Sequence, residues 1–282
     1  MRNNEDRLGS KKVQASSPAA TQAASGPAPL DFVRPTTIVT LPSEGKFYSE
    51  NHPLHNQDTI EIRQMTTAEE DILTSKSLLQ KGTAVDKFLE RILIDSRVGP
   101  DDLLIGDKNA VMIQTRIDGY GSDYTTQVAC PACEERQKFT FDLEDSLATV
   151  ETANLETVTQ TEQGNFLVTL DNDWVVEFRA LLGVDEKKLA KAAANKKKAG
   201  LAESPVQDQL NAIIVSVSGH TDQATILKAV QHMTGKQSRA IREAYSKSIP
   251  NVELRSEFAC GSCGTTTEME VPLTADFFWA RT

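Results

Sequence analysis

All four cysteines of this 282-residue chain fall into two C-x-x-C pairs, Cys130/Cys133 in CPAC and Cys260/Cys263 in CGSC. Each pair sits between stretches that alternate apolar and polar residues: YTTQVAC and KFTFDL around the first, FAC and TEMEVPL around the second. Three chemistries suit paired thiols. Four thiolates from two facing turns can hold one Zn2+ in a closed tetrahedron with Zn–S of about 2.3 Å. A C-x-x-C at a helix N-terminus exchanges disulfides, because the helix end lowers the pKa of its first thiol. Buried, inert thiols simply pack. Strands after both pairs weaken the redox reading and suit a zinc-ribbon-like knuckle. Neither pair has a histidine nearby, so each alone offers two ligands and a closed site needs both. Such a site has no position for substrate, and its binding energy is folding energy.

Other chemistry is sparse. His52 and His55 in ENHPLHNQ have metal-like spacing but lie in a polar stretch and read as a surface loop; His220 and His232 are isolated. HExxH, GxxxxGK[ST], GxSxG and a dinucleotide glycine pattern are all missing from the sequence. The acidic runs Glu69–Asp71 and Asp142–Asp145 fit a helix start and a turn. The expectation is a non-enzyme without a small-molecule substrate. A net charge of −10 and a pI near 5.0 weigh against nucleic acid, although a zinc-ribbon nucleic-acid-binding protein is the alternative reading. The lysine-dense KKLAKAAANKKKAG reads as a solvated helix. No apolar run approaches the roughly 18 residues of a membrane span, and MRNNEDRLGSKKVQ has no signal-peptide core. The expected setting is a reducing cytoplasm, where paired cysteines more often bind metal than form structural disulfides.

The elements that would position the thiols follow from periodicity. Residues 1–34, with ASSPAATQAASGPAPL, form an Ala/Pro/Ser-rich tail too polar to offset its chain entropy and are expected to be disordered. Strands are expected at TTIVTLP and TIEIRQM, the latter with Ile60 and Ile62 on one face. One helix should start at a Thr67 cap and close at Gly82; a second should bury Val85, Phe88, Leu89, Ile92 and Leu93. DKNAVMIQTRIDGY reads as a third, ending near Gly119–Gly121.

The order then recurs. WVVEFRALLGVDEKKL aligns with DTIEIRQMTTAEEDIL, placing Arg179 on Arg63 and Leu189 on Leu73. PVQDQLNAIIVSVSG aligns with AVDKFLERILIDSRV, and Cys260 and Cys263 fall on Cys130 and Cys133. The spacing widens along the chain, so the insertions belong in loops. The expected fold class is α+β, with two homologous lobes from an internal duplication at 35–149 and 150–282. Each lobe would carry helices and a zinc-ribbon-like β-hairpin knuckle, and one structural Zn2+ on Cys130, Cys133, Cys260 and Cys263 would join them.

Four stretches carry a more specific likeness: TLPSEGKFY, MTTAEEDILTS, LLIGDKNAVMIQTRIDGYGSDY and VACPACEE. Together they resemble the T4-like bacteriophage baseplate hub assembly family, over about residues 36–145. The resemblance implies a morphogenetic protein of a contractile-tail phage with no catalytic residues. It would be a hub subunit or an assembly chaperone, with baseplate hub or tape-measure proteins as partners. It would be found in the host cytoplasm during assembly and, if retained, in the virion tail baseplate. At the C-terminus, the repeat places Phe277 opposite Leu147 and so in the core. Phe278 and Trp279 have no counterparts there, which leaves interface anchor and core residue as the alternatives.

Overall fold

The computed structural model describes residues 32–147, 158–253, 255–273 and 275–278. The tail at 1–31, the expected boundary near 149 and Trp279 lie outside them.

Alternation in TIEIR buries Ile60 and Ile62 and leaves Glu61 exposed, so β2 (Thr59–Arg63) pairs antiparallel with β1 (Thr36–Thr40). The helix after it begins one residue earlier than expected. Thr66, not Thr67, caps α1 (Thr67–Thr74): its amide and hydroxyl donate to the Glu69 carboxylate at 3.1 and 2.6 Å. The single helix expected to Gly82 is two. Ser75 takes an extended backbone with ψ of 109°, ending α1 and starting α2 (Lys76–Lys81) by accepting from Leu78 and Leu79. Serine favours such a break because it belongs at caps more than in helix interiors. α3 (Ala84–Ile92) buries Phe88, Leu89 and Ile92 as its spacing predicts, and Leu93 then bridges to Ile62. α4 (Ile105–Tyr120) leads into a hairpin of β3 (Asp123–Ala129) and β4 (Arg136–Asp142), followed by the short α5 (Leu143–Ser146).

The second half builds a four-stranded antiparallel sheet in the order β5 (Val158–Gln160), β6 (Phe166–Thr169), β7 (Val175–Phe178), β8 (Ile214–Val217). Around it run α6 (Gly183–Lys198), α7 (Pro205–Ile213), α8 (Gln223–His232) and α9 (Gly235–Ser248). The hairpin β9 (Arg255–Ala259) and β10 (Thr266–Glu270) and a 3-10 turn at Ala275–Phe278 follow. Sequence periodicity did not reveal α8 and α9. In α9 only Gln237, Ile241, Ala244 and Ser248 are buried, too few apolar residues for a stripe to stand out among charges.

The buried side chains form two clusters. One lies between the four-stranded sheet and α7–α9, from Phe166 to Ala244. The other is built on β1–β4, α3 and α4, and it also takes Val252, Phe258, Val271, Phe277 and Phe278 from the end of the chain. Phe278 is therefore a core residue, which decides between its two readings: it is 1% exposed and its ring lies 5.1 Å from that of Phe88. Phe277 packs 5.1 Å from Tyr124, and its carbonyl accepts from the buried Arg116 guanidinium at 3.1 Å.

Two contacts at the start of α4 hold the halves in place. Asp107 is fully buried and accepts from the Ser43 amide (3.0 Å), the Ser43 hydroxyl (2.6 Å) and the Tyr48 hydroxyl (2.7 Å). Tyr48 in turn accepts from the Leu104 amide at 3.0 Å. These bonds tie TLPSEGKFY to LLIGDK. Beside them Leu104 bridges antiparallel to Leu182, with Ile105 donating to the Leu181 carbonyl and Gly183 to that of Leu103. Gly183 has to be glycine, since a Cβ there would stand 2.1 Å from the Pro100 carbonyl oxygen.

Two measurements follow. Phe278→Ala should cost about 3–5 kcal/mol, the usual range for emptying a buried Phe site, read by denaturant unfolding. An interface residue would leave stability unchanged. Burial by itself would raise the Glu69 carboxyl, but the Thr66 hydroxyl and amide, with Arg34 and Arg91, outweigh it and hold it below the usual range. A carboxylate lowered on folding stabilises above its unfolded pKa and loses that contribution as pH falls through the folded value. Glu69→Gln should therefore be less stable than wild type at pH 7, with the gap closing below about pH 4.

Candidate metal centre

Both hairpins close in the same knuckle. The Cys130 amide donates to the Glu135 carbonyl (2.9 Å), and the Glu134 amide returns to the Cys130 carbonyl (2.8 Å). In the second, Cys260 donates to Thr265 (2.9 Å) and Gly264 to Cys260 (3.0 Å). Each turn needs a left-handed residue just after its second cysteine, Glu134 with φ of 61° and Gly264 with φ of 69°. This backbone turns both sulfurs of a pair the same way, and the Ala132 amide lies 3.4 Å from Cys130 Sγ as a donor.

The two knuckles face each other. Cys130 Sγ is 3.8 Å from Cys263 Sγ, Cys133 Sγ is 3.8 Å from Cys260 Sγ, and all four sulfurs lie within 4.8 Å of one another. A tetrahedron with sulfurs about 2.3 Å from its centre has edges of about 3.8 Å. A disulfide would bring two sulfurs to about 2 Å, so these pairs are too far apart to be bonded. The donor set suits a soft, tetrahedral cation. Among the described residues this is the one place where three or more metal-type side chains meet. Cys130 and Cys260 are buried and Cys133 and Cys263 exposed.

The thiols titrate against one another. The Thr265 hydroxyl, with that residue's amide, draws Cys263 down to about 6. Although the Glu135 amide favours its thiolate, the neighbouring thiols of Cys263, Cys130 and Cys260 push Cys133 up to about 12. Cys263 is thus the acidic and Cys133 the reluctant thiol, and a cation bound by them would favour the thiolate of both.

One supporting residue gave no sequence signal. Gln137 on β4 accepts from the Gly261 amide (3.0 Å) and donates to the Ala259 carbonyl (3.2 Å), joining the first hairpin to the second knuckle through protein atoms. The aligned position in the second hairpin is Thr267, so repetition could not reveal it. Beneath, Phe139 packs at 5.3 Å from Phe258 and 4.7 Å from Phe141. Both pairs precede strands, so neither has the helix end that activates a thioredoxin-type cysteine.

The histidines stay apart from this site. The His52 ring stacks 4.4 Å from Tyr48, and its Nδ1 accepts from the Leu54 amide. His55 Nδ1 lies 2.8 Å from the Tyr48 carbonyl, His220 closes a turn with Val217, and His232 bonds back to Lys228 on α8.

These features define an α+β protein in which hairpins from mid-chain and chain end share a four-thiol, metal-type site. The chain belongs to the T4 bacteriophage base plate protein family, whose model matches residues 34–279. No curated protein and no solved structure matches it significantly. Among the described residues no helix is long and apolar enough to cross a membrane.

Cobalt(II) added to the reduced protein should give the absorption spectrum of a tetrahedral tetrathiolate, saturating at about one equivalent per chain. Cys130→Ser should weaken the binding and alter that spectrum. Full binding with an unchanged spectrum in the variant would remove Cys130 from the ligand set.

Proposed function

We propose that this protein is a non-enzymatic morphogenetic protein that helps assemble the central hub of a contractile-tail phage baseplate. A single structural Zn2+ on Cys130, Cys133, Cys260 and Cys263 would act as its internal clamp. The observation that carries the reading is the sulfur geometry: cross pairs at 3.8 Å, drawn from two hairpins far apart in sequence. Four protein ligands leave the ion no open position, so it would supply rigidity and no Lewis-acid chemistry. Membership of the base plate family supports the setting. Hub and tape-measure proteins are the partners this reading names, on a surface whose net charge of −10 favours protein contacts over phosphate backbones.

An ancestral duplication accounts for the shared site. The Thr66 amide donates to Glu69 at the start of α1, and the Leu182 amide donates to Asp185 at the start of α6, each carboxylate also paired with arginine. Each half runs from a hairpin through helices to a knuckle, and each provides two thiols. One half alone cannot close a four-ligand site, so the zinc would couple the folding of both.

Metal analysis of protein purified without added metal should find about one zinc per chain. Quantitative mass spectrometry of purified virions tests the role. A fixed low copy number beside the other hub proteins marks a subunit, and presence in infected lysate but not in virions marks an assembly chaperone. Absence of any association with hub or tape-measure proteins in the lysate would overturn the assignment.

A further inference from the structure

Among the described residues the open strand edges are protected, with one exception. The outer side of β6 is covered by β5, with Val158, Thr159 and Gln160 opposite Val168, Leu167 and Phe166. β5 itself is three residues long. On β8 the amide and carbonyl of Val217 are both taken by His220, at 3.0 and 2.9 Å. β2, β3, β4, β9 and β10 each carry charged residues, which deter edge-to-edge pairing. β1 has none of these devices. TTIVT is uncharged, β-branched throughout and free of proline, and among the described residues no strand pairs with its outer side.

The outward groups can be named. The Leu41 amide donates to Asp58 and the Gln64 amide to Pro35, so odd-numbered residues of β1 bond with β2. By the alternation of antiparallel ladders, Thr36, Ile38 and Thr40 turn N–H and C=O away from β2. The Ile38 side chain is 69% exposed.

We propose that β1 is a dimerisation edge, at which two copies of the chain pair antiparallel about a twofold axis through Ile38. The strand is close to a palindrome, so this axis sets Thr36 opposite Thr40, Thr37 opposite Val39 and Ile38 opposite itself. The outward groups of each copy then bond in an isologous ladder. No other register is set by charge, because the strand has none; its own symmetry supplies the partner. The nearest like charges on the exposed face, the two Glu61 carboxylates, would be three strand spacings apart. That is about 14 Å, beyond the screening length of about 8–10 Å. β5 on β6 shows a strand seated on the outer edge of a comparable hairpin in this same chain. A five-residue ladder buries less than the roughly 1,200–2,000 Å2 of a permanent complex, so the dimer is reversible and concentration-dependent.

Sedimentation velocity on the full chain, in a series up to roughly 0.1 mM, should show the mass rising from 30.9 kDa toward twice that value. Ile38→Lys and Ile38→Glu should each stay monomeric with unchanged melting temperature, since the side chain is already solvent-exposed in the monomer. Mixing the two variants in equal amounts should restore the dimer, because opposite charges then face each other across the axis. Hydrogen exchange on the wild type should show protection of the Thr36, Ile38 and Thr40 amides that grows with concentration, a readout that needs no variant. A wild type monomeric throughout, a dimer that survives Ile38→Lys, or a mixture that stays monomeric would overturn the proposal. Protection of those amides independent of concentration would also overturn it and assign the edge to residues 1–31 of the same chain.

Discussion

The fold depends on the C-terminal hairpin being held against β3–β4. Without β9–β10, the larger core would lose Phe258, Val271, Phe277 and Phe278, and Arg116 would lose the Phe277 carbonyl. The entropy of closing a loop this long is of the order of 5 kcal/mol. The Phe139–Phe258 contact and the Gln137 bonds offset part of that cost. A cation bound by the four thiolates would offset the rest, since structural zinc contributes about 10–16 kcal/mol in small zinc domains. The four thiols stand where the returning C-terminal hairpin meets the first, so a metal bound there would hold β9–β10 in place.

A second constraint sits at the start of α4. Asp107 is a carboxylate without access to water, and burial raises its pKa although Ser43 and Tyr48 donate to it. Removing either donor would leave an unsatisfied buried group costing about 1–3 kcal/mol or more. This accounts for the shape of the family-like stretches: TLPSEGKFY supplies the donors, LLIGDK supplies the acceptor, and neither makes sense alone. Leu104 and Leu182 pair beside this cluster, so the same few residues order the long loop and seat α6 against α4.

Much of the local structure was legible where a single rule acts over a short span. Ile60 and Ile62 alternate, Phe88, Leu89 and Ile92 follow the helical period, and Gly82 stops a helix with φ of 67°. The failures have equally local causes. Thr66 and Thr67 are chemically equivalent caps, and only the reach of Glu69 back to the Thr66 amide chooses between them. Ser75 breaks a helix whose propensities run on. For Phe278 the sequence left core and interface open, because burial against Phe88 is a contact between residues far apart in sequence.

The sequence by itself determined the four thiols and their grouping in pairs, since two C-x-x-C pairs between alternating stretches admit few chemistries. It also determined the α+β class and the family. Only the tertiary structure decided that the sulfurs converge at 3.8 Å, that Gln137 spans the knuckles and that β1 keeps an open edge. The physical reason is that periodicity and turn chemistry act within a few residues, whereas meeting points are set by which apolar faces can be buried together. In this chain the deciding faces, on β3–β4 and at the C-terminus, lie more than a hundred residues apart.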